Sequence, residues 1–368
     1  MDAPAAHPRL TIRGVRTVAV EVPMTFPLGT SAATIQSAPL LLIDLDTEEG
    51  ITGRTYLFCY RPSGARAIAA LLEDAVALVK GERAAPVEIA GRLNRRFALI
   101  GVTGMMRMAL SGLDCALWDA LAVAAGLPLV SFLGGTLKPV PAYNSNGLGL
   151  IEPDAVADEA VRLLEGGFKA VKLRLGHETL EADLATMRAV RRKLPDMVSI
   201  MVDYNQALSR ADAIRRGRAL EAKGVYWLEE PIRHDDLAGN AAIARELALP
   251  LQIGENFDGA KDMADALAAE ACDYVMPDLA RIGGVTGWMQ AAGIAAAYGV
   301  EMSSHLFPEV SAHLLAATPI GHWLEYVDWA SGVVEEPLRI EGGNAVIPDR
   351  PGCGLKWDDS AVQKHRVG

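Results

Sequence analysis

The chain has 368 residues, with 46 acidic against 35 basic side chains and a formal net charge of −11. That length admits a barrel plus a smaller domain, and the negative charge argues against nucleic acid as a partner. Four scattered cysteines, Cys59, Cys115, Cys272 and Cys353, form no CxxC pair and no zinc spacing, and read as reduced, packed thiols of a cytoplasmic protein.

The N-terminal MDAPAAHPRL carries no apolar run of signal-peptide type. Residues 22–43 are broken by Pro23, Pro27 and Pro39, and residues 120–137 by Gly126 and Pro128, so neither reads as a membrane span. From Leu10 to Asp46 the chain reads as strands around a Gly-, Ser- and Thr-rich loop at Met24–Ser37, and a loop of that length is often functional. Thr52–Tyr60 continues as a strand with an aromatic end. From Ser63 the period becomes helical, with helices predicted at Ala67–Val79, Val87–Ala98 and the apolar Gly104–Ala125. Strands followed by helices define an α+β domain over residues 1–130.

After Gly134 and Gly135 the pattern alternates. Strands are predicted at Val140–Ser145, Ala170–Leu175, Val198–Asp203, Val225–Glu229, Leu251–Glu255, Tyr274–Asp278, Glu301–His305 and Trp323–Glu325, each of the first seven followed by a helix. Eight such units are an α/β chain closing into a (β/α)8 TIM-type barrel over residues 131–328. Residues 329–368 are Pro- and Gly-punctuated and are expected to pack back on the first domain.

Three successive strand ends each deliver an acid: Asp203 in VSIMVD, Glu229 in VYWLEEP and Glu255 in LQIGE. In a parallel barrel those ends share one mouth, where the three would converge on a hard cation, Mg²⁺. Buried carboxylates need partners, and a metal serves several at once. Lys172 and Arg174, two apart on the second barrel strand, point to the same face. Asp278 and His305 end neighbouring strands, so the carboxylate can orient the imidazole. Glu325 ends the last strand, where a carboxylic acid with a raised pKa could donate to a developing enolate oxygen.

This constellation resembles the enolase superfamily, and within it the mandelate racemase / muconate lactonizing enzyme family, closest to the racemase type. The resemblance runs through AVKLRLG (Ala170–Gly176), MVDYNQ, WLEEP, IGEN, MPDLARIGGVTGW, SSHLFPEVSAHLLAATP, HWLE and EGGNAVIPD, over nearly the whole chain. It implies a capping domain on a modified barrel, with Mg²⁺ on Asp203, Glu229 and Glu255. It implies Lys172 at the substrate carboxylate, an Asp278–His305 dyad as base and Glu325 as the electrophilic acid. It also implies that Met24–Ser37 closes over a small carboxylate substrate. Leu28, Ala32, Ile35, Phe58, Tyr60 and Leu306 stand at apolar or aromatic pocket positions, and Ser145 and Asn205 at polar ones.

At one position this sequence departs. The racemase type has a second catalytic lysine where this chain has Arg174, and a guanidinium is a poor base. The reading is Mg²⁺-dependent α-proton abstraction through an enediolate, as in racemisation of an α-hydroxy acid. The alternatives are dehydration of an acid sugar and, more remotely, a catalytically impaired binding protein. The resemblance also implies a homo-oligomer, with an octamer among the sizes it suggests, and no membrane or nucleic-acid partner.

Overall fold

The computed structural model describes residues 9–30 and 34–367. Three antiparallel strands open the chain, β1 (Ile12–Gly29), β2 (Thr34–Thr47) and β3 (Thr52–Phe58), in the order β1-β2-β3. The segment expected to be a loop at Met24–Ser37 is instead largely strand, with Leu28 paired to Ile35 and a register shift between Pro23 and Leu28. β1 lies at the sheet edge, where prolines such as Pro23 and Pro27 remove no ladder bond that the sheet needs. Ser and Thr, which suggested a loop, are compatible with an exposed ribbon.

The helix Gly104–Ala125 packs directly on this sheet. A Cβ at Gly53 would lie 1.9 Å from Ala116 O, so the close approach requires glycine there. The helix ends at Gly126 in the left-handed conformation, φ 69°. It is long and apolar enough to cross a membrane by composition alone, but most of it is buried inside the protein.

Six parallel strands follow: β4 (Val140–Asn144), β5 (Ala170–Arg174), β6 (Ser199–Asp203), β7 (Val225–Glu229), β8 (Leu251–Ile253) and β9 (Tyr274–Val275). The predicted strand at Glu301–His305 is reduced to single bridges, Val275 to Met302 and Asp278 to His305 on one side and Met302 to Gly321 on the other. Strand β10 (Leu324–Tyr326) then pairs parallel with β4 and closes the ring. β11 (Arg339–Glu341) and β12 (Asn344–Val346) form a hairpin added antiparallel to β4. Residues 329–367 therefore divide between the two domains. The hairpin extends the barrel sheet, while Trp357 Nε1 donates to Asp44 at 2.8 Å and Val367 N to Ala19 O at 3.0 Å.

Candidate active site

Side chains alternate across a strand, so residues 172 and 174, 201 and 203, and 227 and 229 face inward together. Asp203 and Glu229 end β6 and β7, and Glu255 follows β8 after Gly254. Gly254 has φ 141°, and a Cβ there would meet Met276 N at 2.9 Å, so glycine lets this turn aim Glu255 inward. One carboxylate oxygen from each of the three acids lies within 4.8 Å of the others.

Lys172 is 1% exposed. Its Nζ lies 2.5 Å from Glu229 Oε1, 2.8 Å from Glu325 Oε1 and 3.4 Å from Asp203 Oδ2. Burial opposes its charge, but Glu229 and Glu325 lead the carboxylates that hold its proton well above the usual lysine range. Burial raises Glu229 to about 8 despite Lys172. Glu255 is held below the usual carboxylate range: burial pushes its pKa up, but His305 beside it wins. Trp227 Nε1 donates to Glu229 Oε2 at 3.0 Å, and Asn205 N and Nδ2 donate to Asp203 at 2.7 and 3.0 Å.

His305 Nδ1 lies 2.7 Å from Asp278 Oδ2, which leaves Nε2 facing the mouth, 3.2 Å from Glu255 and 3.8 Å from Glu325. Burial alone would lower the imidazole pKa, but Glu255, Glu325 and Asp278 together raise it well above the usual value. Asp278 Oδ1 also accepts from Ala280 N and Arg281 N, which fixes its rotamer. Glu325 does not have the raised pKa that a proton donor there would need. Burial pushes it up, but Lys172 and His305 hold it to about 2, and it accepts from Ser145 Oγ at 2.7 Å and Leu306 N at 2.9 Å.

Arg174 is inside the barrel but aimed elsewhere. Its Nη1 donates to Ser145 O at 3.1 Å and Gly147 O at 2.8 Å, and Nη2 to Ser145 Oγ at 3.2 Å. The guanidinium is thus tied to the loop after β4, not to the three acids. The Phe58 ring lies tilted, 4.6 Å from Tyr60 and 4.7 Å from Trp329 between centroids, an aromatic cluster where the two domains meet. Leu28 and Ile35 face each other across the β1/β2 ribbon, and Ala32 lies outside the described residues.

Two functional candidates escaped the sequence reading. Glu230 is fully buried beside Glu229 and accepts both of its bonds from Asn256 Nδ2. Strand alternation would turn it outward, but the chain bends there with φ 35°. The doubled acid in WLEEP was the available signal. Arg281, one turn after Asp278, donates to Asn256 Oδ1 and, at 2.7 Å, to Tyr60 OH. No spacing in the sequence pointed to it.

An acid triad at consecutive strand ends, a buried lysine and a His–Asp pair on a capped barrel define an enolase-type enzyme. Residues 12–134 match the description "Mandelate racemase / muconate lactonizing enzyme, N-terminal domain", and residues 155–361 match "Enolase C-terminal domain-like". The chain belongs to the mandelate racemase / muconate lactonizing enzyme family. Among relatives, L-talarate/galactarate dehydratase of Salmonella typhimurium is 32% identical over 88% of this chain and 81% of its own. An enolase from the alphaproteobacterium BAL199, solved with bound Mg, is 44% identical, with a TM-score of 0.95 over 97% of this chain and 100% of its own. A Bradyrhizobium enolase complexed with magnesium and mandelic acid is 40% identical, with a TM-score of 0.93 over 98% and 99%.

Proposed function

We propose that this enzyme removes the α-proton of a 2-hydroxycarboxylate on one face only, with His305 as base, and that the product-forming reaction is loss of a β-hydroxyl. The observation that carries this is the anchoring of Arg174. Its guanidinium donates to two backbone carbonyls and a serine hydroxyl, and it cannot serve as a second base on the opposite face of a planar intermediate.

Asp203, Glu229 and Glu255 would hold Mg²⁺. Three convergent oxygen donors suit a hard cation, and their buried negative charge exceeds what Lys172 neutralises. When bound, Mg²⁺ supplies charge to neutralise the substrate carboxylate, which acidifies the α-proton. Lys172, beside Asp203 and Glu229, would bind that carboxylate as a second cation. Asp278 accepts the Nδ1 proton of His305 and so presents Nε2 to the α-carbon. In dehydration the Cα–H electron pair becomes a C=C bond as the C3–O bond breaks. His305, having taken the α-proton, returns it to the departing hydroxide, which leaves as water, and the resulting enol tautomerises to a 2-keto-3-deoxy acid.

Racemisation is a second reading, favoured by the Phe58–Tyr60–Trp329 cluster, which suits an aryl group better than a polyol, and by the mandelic acid bound to the Bradyrhizobium relative.

The test is a set of enantiomeric 2-hydroxy acids and acid sugars incubated in D₂O with Mg²⁺. One enantiomer is expected to exchange its α-proton much faster than the other, with a 2-keto acid accumulating from the acid sugar that fits. Equal, rapid exchange of both mandelate enantiomers would overturn the one-sided reading and leave racemisation. Full activity after exhaustive chelation would overturn the metal assignment.

A further inference from the structure

Glu255 is the only one of the three triad acids that lies beyond the end of its strand. Its position depends on the turn 254–259, and two ties from the capping domain converge there. On one side Arg281 bridges Asn256 Oδ1 and the Tyr60 hydroxyl, and its guanidinium sits 5.2 Å from the Tyr60 ring centroid. Asn256 in turn holds buried Glu230 through Nδ2 and reaches Glu255 Oε1 at 3.3 Å. On the other side Asp258 accepts from Gly104 N and Arg107 Nε, both at 2.9 Å. Arg107 Nη1 also donates to Asn94 at 3.0 Å. Gly259 N donates to Arg281 O at 3.0 Å, which joins the two ties through one short segment.

Neither tie touches the carboxylate oxygens of Asp203 or Glu229. Both originate on the capping domain: Tyr60 just past β3, Gly104 and Arg107 in the first turn of the long helix. Groups that orient a metal ligand from behind set its affinity as surely as the ligand itself, because a loosened ligand must be ordered again on binding. We infer that Tyr60, Arg281, Arg107 and Asp258 are positioning residues for the metal. Through them, the seating of the capping domain sets Mg²⁺ affinity by fixing the turn that carries Glu255. The inference rests on the assignment of Mg²⁺ to the three acids. It adds that a contact surface outside the barrel controls the site.

The experiment is titration of Mg²⁺ alone into the full-length, EDTA-stripped protein by calorimetry, with circular dichroism as a check on folding. Asp258→Ala and Tyr60→Phe are each expected to weaken Mg²⁺ by roughly tenfold. Arg107→Met added to Asp258→Ala should weaken it little further, since both cut one tie. Tyr60→Phe added to Asp258→Ala should weaken it further, by less than the product of the two single effects, since the Gly259–Arg281 bond joins the ties. Arg218→Met, which removes an exposed barrel ion pair with Glu246, should leave affinity unchanged. Should Asp258→Ala not fold, Tyr60→Phe, which deletes one oxygen, carries the same reading. Affinities within twofold of the parent in folded variants would overturn the inference and leave the metal assignment intact. A parent protein that takes up no Mg²⁺ would overturn both.

Discussion

The barrel interior has two levels built from the same strands. At the lower level stand Ala170, Met201 and Trp227 with Tyr143, all fully buried, with Tyr143 and Trp227 edge-on at 5.4 Å. Two residues further along each strand stand Lys172, Asp203 and Glu229. The lower level is apolar and gains free energy from burial. The upper level buries like charges that only a few cations offset, which costs free energy. A pleat of two residues separates a stabilising layer from a reactive one.

The largest effect should come from the upper level. His305→Asn is expected to reduce α-proton exchange by about 10³- to 10⁴-fold while Mg²⁺ still binds. Exchange followed by NMR in D₂O, beside a metal titration, checks both halves. Retained exchange at the parent rate would place the base elsewhere. Met201→Ala, in the lower level, should do the reverse. Urea unfolding should show a loss of about 2–5 kcal/mol, with Mg²⁺ affinity of the folded protein little changed. A variant as stable as the parent would refute the division between levels.

Two histidines sharpen the contrast. His305 among carboxylates is pushed up, whereas His313, buried in the helix Pro308–Ala317, is pushed down to about 4 by burial, and its Nδ1 accepts from Val130 N at 3.2 Å. An imidazole whose folded pKa lies below its unfolded value of 6.5 contributes stability above pH 6.5. That stability is lost as pH falls through the interval from 6.5 to 4. Urea midpoints should therefore show a loss of about 2–3 kcal/mol attributable to this residue between pH 7 and 4.5. His313→Gln should remove that part of the slope, and an unchanged slope would contradict the assignment. The smallest effect is expected from Asp278→Asn. It leaves His305 in place without its orienting carboxylate and should slow exchange about a hundredfold.

The upper level was the most legible part of the sequence, because each acid ends an apolar run and the runs recur in order. The lower level was legible only as apolar. The segment Glu301–His305 could not be told from its neighbours, since its residues suit a strand and it bonds both neighbouring segments, though only through isolated bridges. The ribbon at Met24–Ser37 was misread because composition reports solubility more than backbone conformation. The direction of the Arg174 side chain was likewise not readable. Position on a strand gives a face, whereas a long side chain chooses its acceptors from the loop that happens to lie beside it. Glu230 depends on a bend, which has no period, and Arg281 on the four-residue helix Leu279–Ile282, which is too short to show one.

The pairing of Trp357 with Asp44 joins residues 313 apart in sequence. During synthesis the three-stranded sheet leaves the ribosome with β1 as an open edge, and the segment that bonds Ala19 and Val20 arrives only after the whole barrel has been made. An open edge is a template for pairing with other chains. Nascent chains stalled before residue 357 should therefore leave Ala19 and Val20 open to pairing with other chains, and arrival of the segment after the helix Asp359–His365 on β1 should cover these two positions.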